Sequence, residues 1–238
     1  NDVDLLAVYI ADAYGDPIKP LNCIENETAQ VYLWGTLANG TGTDRYAVRI
    51  YTELFVDEIF SQAYNQCVQN VIPANSVGNY PLFFYTIDCD YTYELRNTWV
   101  TWSATAGQCT DPQGANYTST CGDYPASKCG KEWAPIKIVV PNMTWSCGTY
   151  DSDSITVSFV GSASGGVPPY TYEWDFGDET TGSGASITHT YNTSLSGEFT
   201  VTLKVTDSKG SYGMVADALH LPWITCPADP ISTCDNDQ

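Results

Sequence analysis

Positive charge is what this chain has least of: 9 Lys+Arg stand against 28 Asp+Glu, a formal net charge of −19 at pH 7. A surface of that sign repels phosphate backbones and anionic lipid, which argues against nucleic-acid and membrane-surface binding. Histidine is nearly absent too, with only His189 and His220. Neither lies near a nucleophile elbow, and the one approach to that motif, Gly161-Ser162-Ala163-Ser164-Gly165, carries alanine where the serine belongs. No cysteine pair has the CxxC spacing of a zinc knuckle or a thioredoxin-like site. No segment reaches the roughly 20 apolar residues of a transmembrane helix. Helix-forming stretches of Leu, Lys, Glu and Ala are scarce, while Thr, Val, Tyr and Ser abound, so the chain reads as all-β. An initiating Met and a signal peptide are both missing, and Asn1 is expected to open a mature, processed, secreted chain.

What is present fits an extracellular protein. Nine cysteines are spread along the sequence, Cys23, Cys67, Cys89, Cys109, Cys121, Cys129, Cys147, Cys226 and Cys234, and imply structural disulfides in an oxidising compartment. Nine is odd, so one is left free or pairs with another chain, and eight paired cysteines allow about 105 connectivities. Five glycosylation sequons, at Asn26, Asn39, Asn116, Asn142 and Asn192, point the same way. With 43% hydrophobic and 13% aromatic residues, the chain is globular and long enough for one large or two medium domains.

The strand pattern divides it in two. Residues 1–141 hold about seven expected strands, enough for an Ig-like or jelly-roll sandwich. They include Val3–Ile10, Ala29–Leu37, Tyr46–Val56, Pro81–Ile87, Thr98–Ala104 and a closing strand Pro135–Pro141. Asn39-Gly40-Thr41-Gly42 reads as a hairpin turn between the second and third of these. Residues 107–130 form a long Gly/Pro/Ser/Thr-rich loop that Cys109, Cys121 and Cys129 would staple. Pro141–Thr144 is the expected link, residues 142–222 a second sandwich, and residues 223–238 a tail carrying Cys226 and Cys234.

The second domain contains the most informative run. Gly165-Gly166-Val167-Pro168-Pro169 leads into Tyr170-Thr171-Tyr172-Glu173-Trp174-Asp175-Phe176-Gly177-Asp178, where four aromatics alternate with polar residues. Period two places Tyr170, Tyr172, Trp174 and Phe176 on one face of a half-buried strand. The Trp-Asp-Phe-Gly-Asp turn resembles the signature of the polycystin-type (PKD) Ig-like domain. His189-Thr190-Tyr191 and Gly197-Glu198-Phe199-Thr200-Val201 resemble the second half of that pattern. The resemblance implies an Ig-like sandwich and an extracellular spacer or adhesion role, and it points away from an active site.

Candidate sites are few. The acidic pairs Asp57-Glu58, Asp88/Asp90 and Glu173/Asp175 could in principle serve glycoside hydrolysis, but they read as solvated loops in so acidic a chain. No catalytic residue and no cofactor is therefore expected. Calcium stays open: Asp175, Asp178 and Glu179 at one turn, with Asp207 on a later strand, offer hard oxygen ligands, as do Asp151 and Asp153 at the junction. The competing reading is that such aspartates bind their own backbone N–H groups. At the N-terminus, Leu5, Leu6, Val8 and Ile10 form an apolar strand that either completes its own sandwich or is donated to a neighbouring subunit. The chain is thus expected to be a non-enzymatic extracellular structural or adhesive protein, the repeating subunit of a pilus-like cell-surface filament. Its partners would be further copies, glycans or cell-surface ligands. The alternative is a carbohydrate-binding spacer fragment of a secreted polysaccharide- or protein-degrading enzyme. Trp99 and Trp102, on opposite faces of one strand, are then candidate stacking platforms.

Overall fold

The computed structural model describes residues 2–21, 28–88, 90–104, 106, 128–129, 134–150, 153–192 and 197–221. Every regular element among them is a β-strand. In chain order these are β1 (Val3–Ala11), β2 (Thr28–Asn39), β3 (Arg45–Val56), β4 (Ile59–Ile72), β5 (Ser76–Asp88), β6 (Tyr93–Ser103), β7 (Lys128–Cys129) and β8 (Ile136–Lys137). Then follow β9 (Val139–Tyr150), β10 (Ser154–Gly165), β11 (Thr171–Asp175), β12 (Thr181–Ser183), β13 (Ser186–Asn192), β14 (Gly197–Thr206) and β15 (Tyr212–Leu221). The expected all-β architecture of two sandwiches in tandem holds.

In the N-terminal sandwich, a sheet ordered β1-β2-β5 faces a sheet ordered β4-β3-β6-β7, with β8 also on β6. The alternation along β2 shows why these residues make strands. Val31, Leu33 and Leu37 are buried and the intervening Tyr32, Trp34 and Thr36 are only partly covered. The C-terminal sandwich sets β13-β10-β9 against β12-β11-β14-β15. Along β14, Val201, Leu203 and Val205 point inward with Phe199 packed beside them, as their period-two spacing predicts.

Expectations of a hairpin, a closing strand and a linker change, and β1, left open between two readings, is paired within its own chain. The Asn39–Gly42 link is not a hairpin turn, because β2 pairs with β1 and β5 while β3 pairs with β4 and β6. Asn39 bridges the crossing. Its amide is 1% exposed, and Nδ2 donates to the carbonyls of Thr43, Ile72 and Pro73 while Oδ1 accepts from the Thr41 N–H and hydroxyl. The side chain thereby ties the end of one sheet to the end of the other. The expected closing strand Pro135–Pro141 is also two elements: β8 pairs with β6, and β9 starts at Val139 on β10. The chain changes domain at Ile138, so Pro141–Thr144 lies inside β9 and is not a linker. Finally, β1 is antiparallel to β2 of its own chain, with Val3, Val8 and Ile10 fully buried, Leu5 nearly so, and Leu6 53% exposed at a register slip.

The far side of β1 meets the second domain. The Tyr9 and Tyr212 rings stack at 4.5 Å, Ile18 forms a parallel bridge with Val215, and Ala216 N donates to Ile18 O at 2.9 Å. Asn142 Nδ2 donates to Leu21 O at 3.1 Å, a further tie across the junction. Burial first, and then the neighbouring Tyr212, raise the Tyr9 phenol well above its ordinary range. One cluster of buried apolar side chains runs from Val3 to Leu219 through both sandwiches. Tyr9→Ala is expected to cost about 3 kcal/mol. In calorimetry it should split a single wild-type transition into two, whereas retention of one transition would show that the domains are coupled elsewhere.

Candidate functional site

The signature run builds a core, and its atoms are engaged in holding that core together. Trp174 and Phe176 are each 2% exposed, and Tyr170 and Tyr172 pack partly buried against them on the same face. Trp174 Nε1–H donates to Gly184 O at 2.8 Å, and Tyr191 Oη–H to Phe176 O at 3.1 Å, so both buried polar tips are satisfied. Gly177 sits at φ +75°, and a Cβ there would lie 2.7 Å from Thr200 O. Only glycine permits that turn.

His189 stacks on Phe176 at 4.0 Å with the rings nearly parallel. Its Nε2 is 2.8 Å from Asp178 Oδ2, and with a carboxylate as partner that nitrogen carries the proton. Asp178 Oδ1 accepts from the Thr180 hydroxyl and, at 3.2 Å, from Thr180 N–H. Burial raises the Asp178 carboxyl, but the Thr180 and His189 donors outweigh it and hold the pKa below its ordinary value. The Thr180 hydroxyl lies 3.4 Å from His189 Nε2 as well, but it gives its proton to Asp178 Oδ1. The His189–Asp178 pair clamps the turn after β11 onto β13. His220, the second histidine, lies on β15 with Nδ1 3.6 Å from Glu198 Oε2, both side chains well exposed.

The candidate calcium ligands do not converge. Asp175 ends β11 and Asp178 follows it, while Asp207 lies level with the other end, because Asp175 pairs with Thr202 and Thr171 with Thr206. The length of β11 separates them, roughly 16 Å. Asp175 Oδ1 accepts from Gly177 N–H, while the carboxylate of Asp207 accepts from the N–H groups of Val167, Lys209 and Ser211. Among the described residues no three His, Cys, Asp or Glu side chains are grouped to hold a metal. Asp151 lies outside the described residues.

Of the sequons, Asn39 has its Nδ2 buried on three carbonyls, leaving no room for a glycan in the folded chain. Asn142 is half-buried and Asn192 exposed, while Asn26 and Asn116 lie outside the described residues. Cys67 and Cys147 are each disulfide-bonded. The side chains of Cys23, Cys89, Cys109, Cys121, Cys129, Cys226 and Cys234 lie outside the described part, as does most of the 107–130 loop. Trp102 is 3% exposed and Trp99 half-buried, so Trp99 is the one of that pair that reaches solvent. A shallow cleft of about 310 Å³ opens beside Ile18, Lys19, Leu21 and Gln30. The one carboxylate lining it, Asp12, accepts from Tyr14 and Asp16 N–H.

The fold thus defines a pair of antiparallel β-sandwiches, the second closed around an aromatic signature turn. Residues 142–218 match the family model of the PKD domain, in agreement with the resemblance carried by that turn. No curated protein matches the chain. Among solved structures, one match comes from work on host cell surface retention of a 1.5-MDa bacterial ice-binding adhesin. It is 13% identical with a TM-score of 0.25, over 92% of this chain and 63% of that one. The chain therefore spans less than two thirds of that structure, and a likeness at this level carries no argument about fold or role.

Two outcomes follow from the turn. Gly177→Ala should destabilise the C-terminal sandwich by about 2–4 kcal/mol in denaturant unfolding, through a strained φ and the contact with Thr200 O. Because folding lowers the Asp178 pKa, its contribution to stability is complete above the unfolded value near pH 4 and is lost as pH falls through the folded one. Asp178→Asn should cost about 1–3 kcal/mol at neutral pH and flatten that acid limb. An unchanged acid slope would show that other carboxylates control it.

Proposed function

We propose that this chain is a non-enzymatic, extracellular structural or adhesive module, a stiff two-sandwich unit that holds its surfaces at a fixed spacing. The observation that carries this reading is the junction. The backbone passes from one sandwich to the other at Ile138 with no linker, and the Tyr9–Tyr212 stack and the Ile18–Val215 bridge fasten the two together. The PKD match supports it, as do the acidic surface and the engagement of the signature side chains in packing. Secretion and disulfide stapling belong to the same reading. The test is solution scattering of the secreted chain with cell attachment measured alongside. Fixed interdomain spacing, with attachment lost when the gene is deleted, is expected. A flexible pair of domains on cells that attach normally would overturn it.

The finer form of this role is a repeating subunit of a pilus-like filament that donates β1. Ala7 and Thr36 are register partners within one chain. A disulfide between Ala7→Cys and Thr36→Cys would hold β1 in place, so oxidised protein should form no fibres in negative-stain micrographs. Fibres formed in spite of the lock would exclude donation of β1.

The carbohydrate-binding reading now rests on Trp99. It predicts retention on cellulose or chitin that disappears in Trp99→Ala, and the absence of retention in the wild type would end it.

A further inference from the structure

We infer that Tyr9 and Tyr212 form an oxidative cross-linking site, at which a peroxide oxidant joins the two rings as dityrosine and ties the sandwiches together covalently. The geometry of the pair carries this. The rings stack face to face, with centroids 4.5 Å apart and planes 12° from parallel. The Tyr212 hydroxyl interacts with the side chains of Tyr9 and Thr36, so the two phenols lie with their hydroxyl ends together. The ortho carbons beside each hydroxyl, where phenoxyl radicals join, therefore face their counterparts. Contact of this kind replaces a chance encounter between two radicals with a step inside one chain.

The surroundings favour this pair over others. Lys204 Nζ lies over the Tyr212 ring at 4.9 Å and occupies the face turned away from Tyr9. A tyrosine of another molecule finds no free face there. Among the described residues the other two tyrosines in ring contact are Tyr85 and Tyr93, 6.0 Å apart and edge to face at 71°, which does not lay one ortho carbon on another. Tyr9 is 2% exposed and Tyr212 half-buried, so the oxidant meets Tyr212 first. Oxidation reaches Tyr9 through the stack, from Tyr212 or from Trp34, whose half-buried ring lies 6.3 Å away.

The step removes two electrons and two protons. Burial keeps both phenols protonated, so each ring loses its hydroxyl proton together with one electron and becomes a phenoxyl radical. The radicals couple through one ortho carbon each, forming a carbon–carbon bond. The two ortho hydrogens then move to the oxygens as the rings regain aromaticity. Hydrogen peroxide takes up the electrons and protons and leaves as two waters. The new bond fixes β1 to β15 across the junction, so β1 can no longer leave its own chain. It also closes the whole segment from residue 9 to residue 212, and a cross-link over so long a segment restricts the unfolded chain strongly.

Peptide mapping by mass spectrometry tests this, after brief oxidation of the full chain at low concentration with peroxodisulfate and photolysed tris(bipyridyl)ruthenium. The expected product is a monomer lighter by two hydrogens, with dityrosine fluorescence, whose digest joins the Tyr9 peptide to the Tyr212 peptide. Tyr9→Phe and Tyr212→Phe, which keep the stacked rings, should each abolish that fluorescence in the monomer. Tyr14→Phe, at a ring 85% exposed, should leave it in place. Oxidation of the wild type in concentrated urea should lose the joined peptide, because the stack is gone. A native wild type that yields no joined peptide overturns the inference. So does a yield that urea leaves unchanged, or monomer fluorescence that survives both substitutions. None of these results bears on the spacer role proposed above, which stands or falls on interdomain rigidity and attachment.

Discussion

Burial of β1 is the constraint on which the rest of this molecule depends. One face of the strand closes the N-terminal core through Val3, Val8 and Ile10, and the stacked ring of Tyr9 meets the C-terminal sandwich through Tyr212. Removing it would open both at once, leaving a sheet edge on β2 and an uncovered β15. That double use explains how two modest sandwiches share a single apolar cluster. It also sets a cost for any assembly that draws β1 out of its own chain: the donated side chains are those that couple the domains.

The C-terminal sandwich shows the same economy at a smaller scale. Its aromatic run buries Trp174 and Phe176, and the turn that follows is locked by Gly177, by the Asp178–Thr180 contacts and by His189 lying flat on Phe176. A histidine beside an aspartate at 2.8 Å suggests chemistry when viewed alone. With an aromatic ring beneath it and Tyr191 against its edge, it is a packing element that satisfies a carboxylate. Titration of that carboxylate therefore acts on the stability of the turn.

Much of this was legible in the sequence, and the reasons are local. Strict period two in Tyr170–Phe176 and in Phe199–Val205 fixes which side chains face inward, so strand identity and face could be read directly. β4 was not legible. Its residues run in pairs, Ile59-Phe60, Ser61-Gln62, Ala63-Tyr64, with no alternation to give it away, because an edge strand with slipped register need not present one apolar face. The Asn39–Gly42 turn misled for a different reason: its residues suit a hairpin, but the chain crosses to the other sheet, where the Asn39 amide meets the Ile72 and Pro73 carbonyls, and those partners are tertiary information. The junction at Ile138 was hidden by the same limit, since a strand that changes partner sheet looks continuous in sequence.

The acidic excess follows from the turns as much as from the surface. Asp12, Asp44, Asp57, Asp88, Asp175, Asp178 and Asp207 all accept main-chain N–H groups at chain reversals or loop ends. An all-β chain with many turns needs many such acceptors, and aspartate supplies them without glycine's entropic penalty. Carboxylates used in this way have lone pairs already engaged, so binding a cation or a proton there would loosen the turn they hold. Their distribution matters as much as their number. Charge collects at many of these turns, and Pro73–Asn75 between β4 and β5, which carries none, is latched from outside by Asp44, which accepts from Ala74 N–H. The connection between these strands, which passes from one sheet to the other, thereby keeps its reversal without a carboxylate of its own, and residues 59–87 stay free of charged side chains in an otherwise strongly acidic molecule.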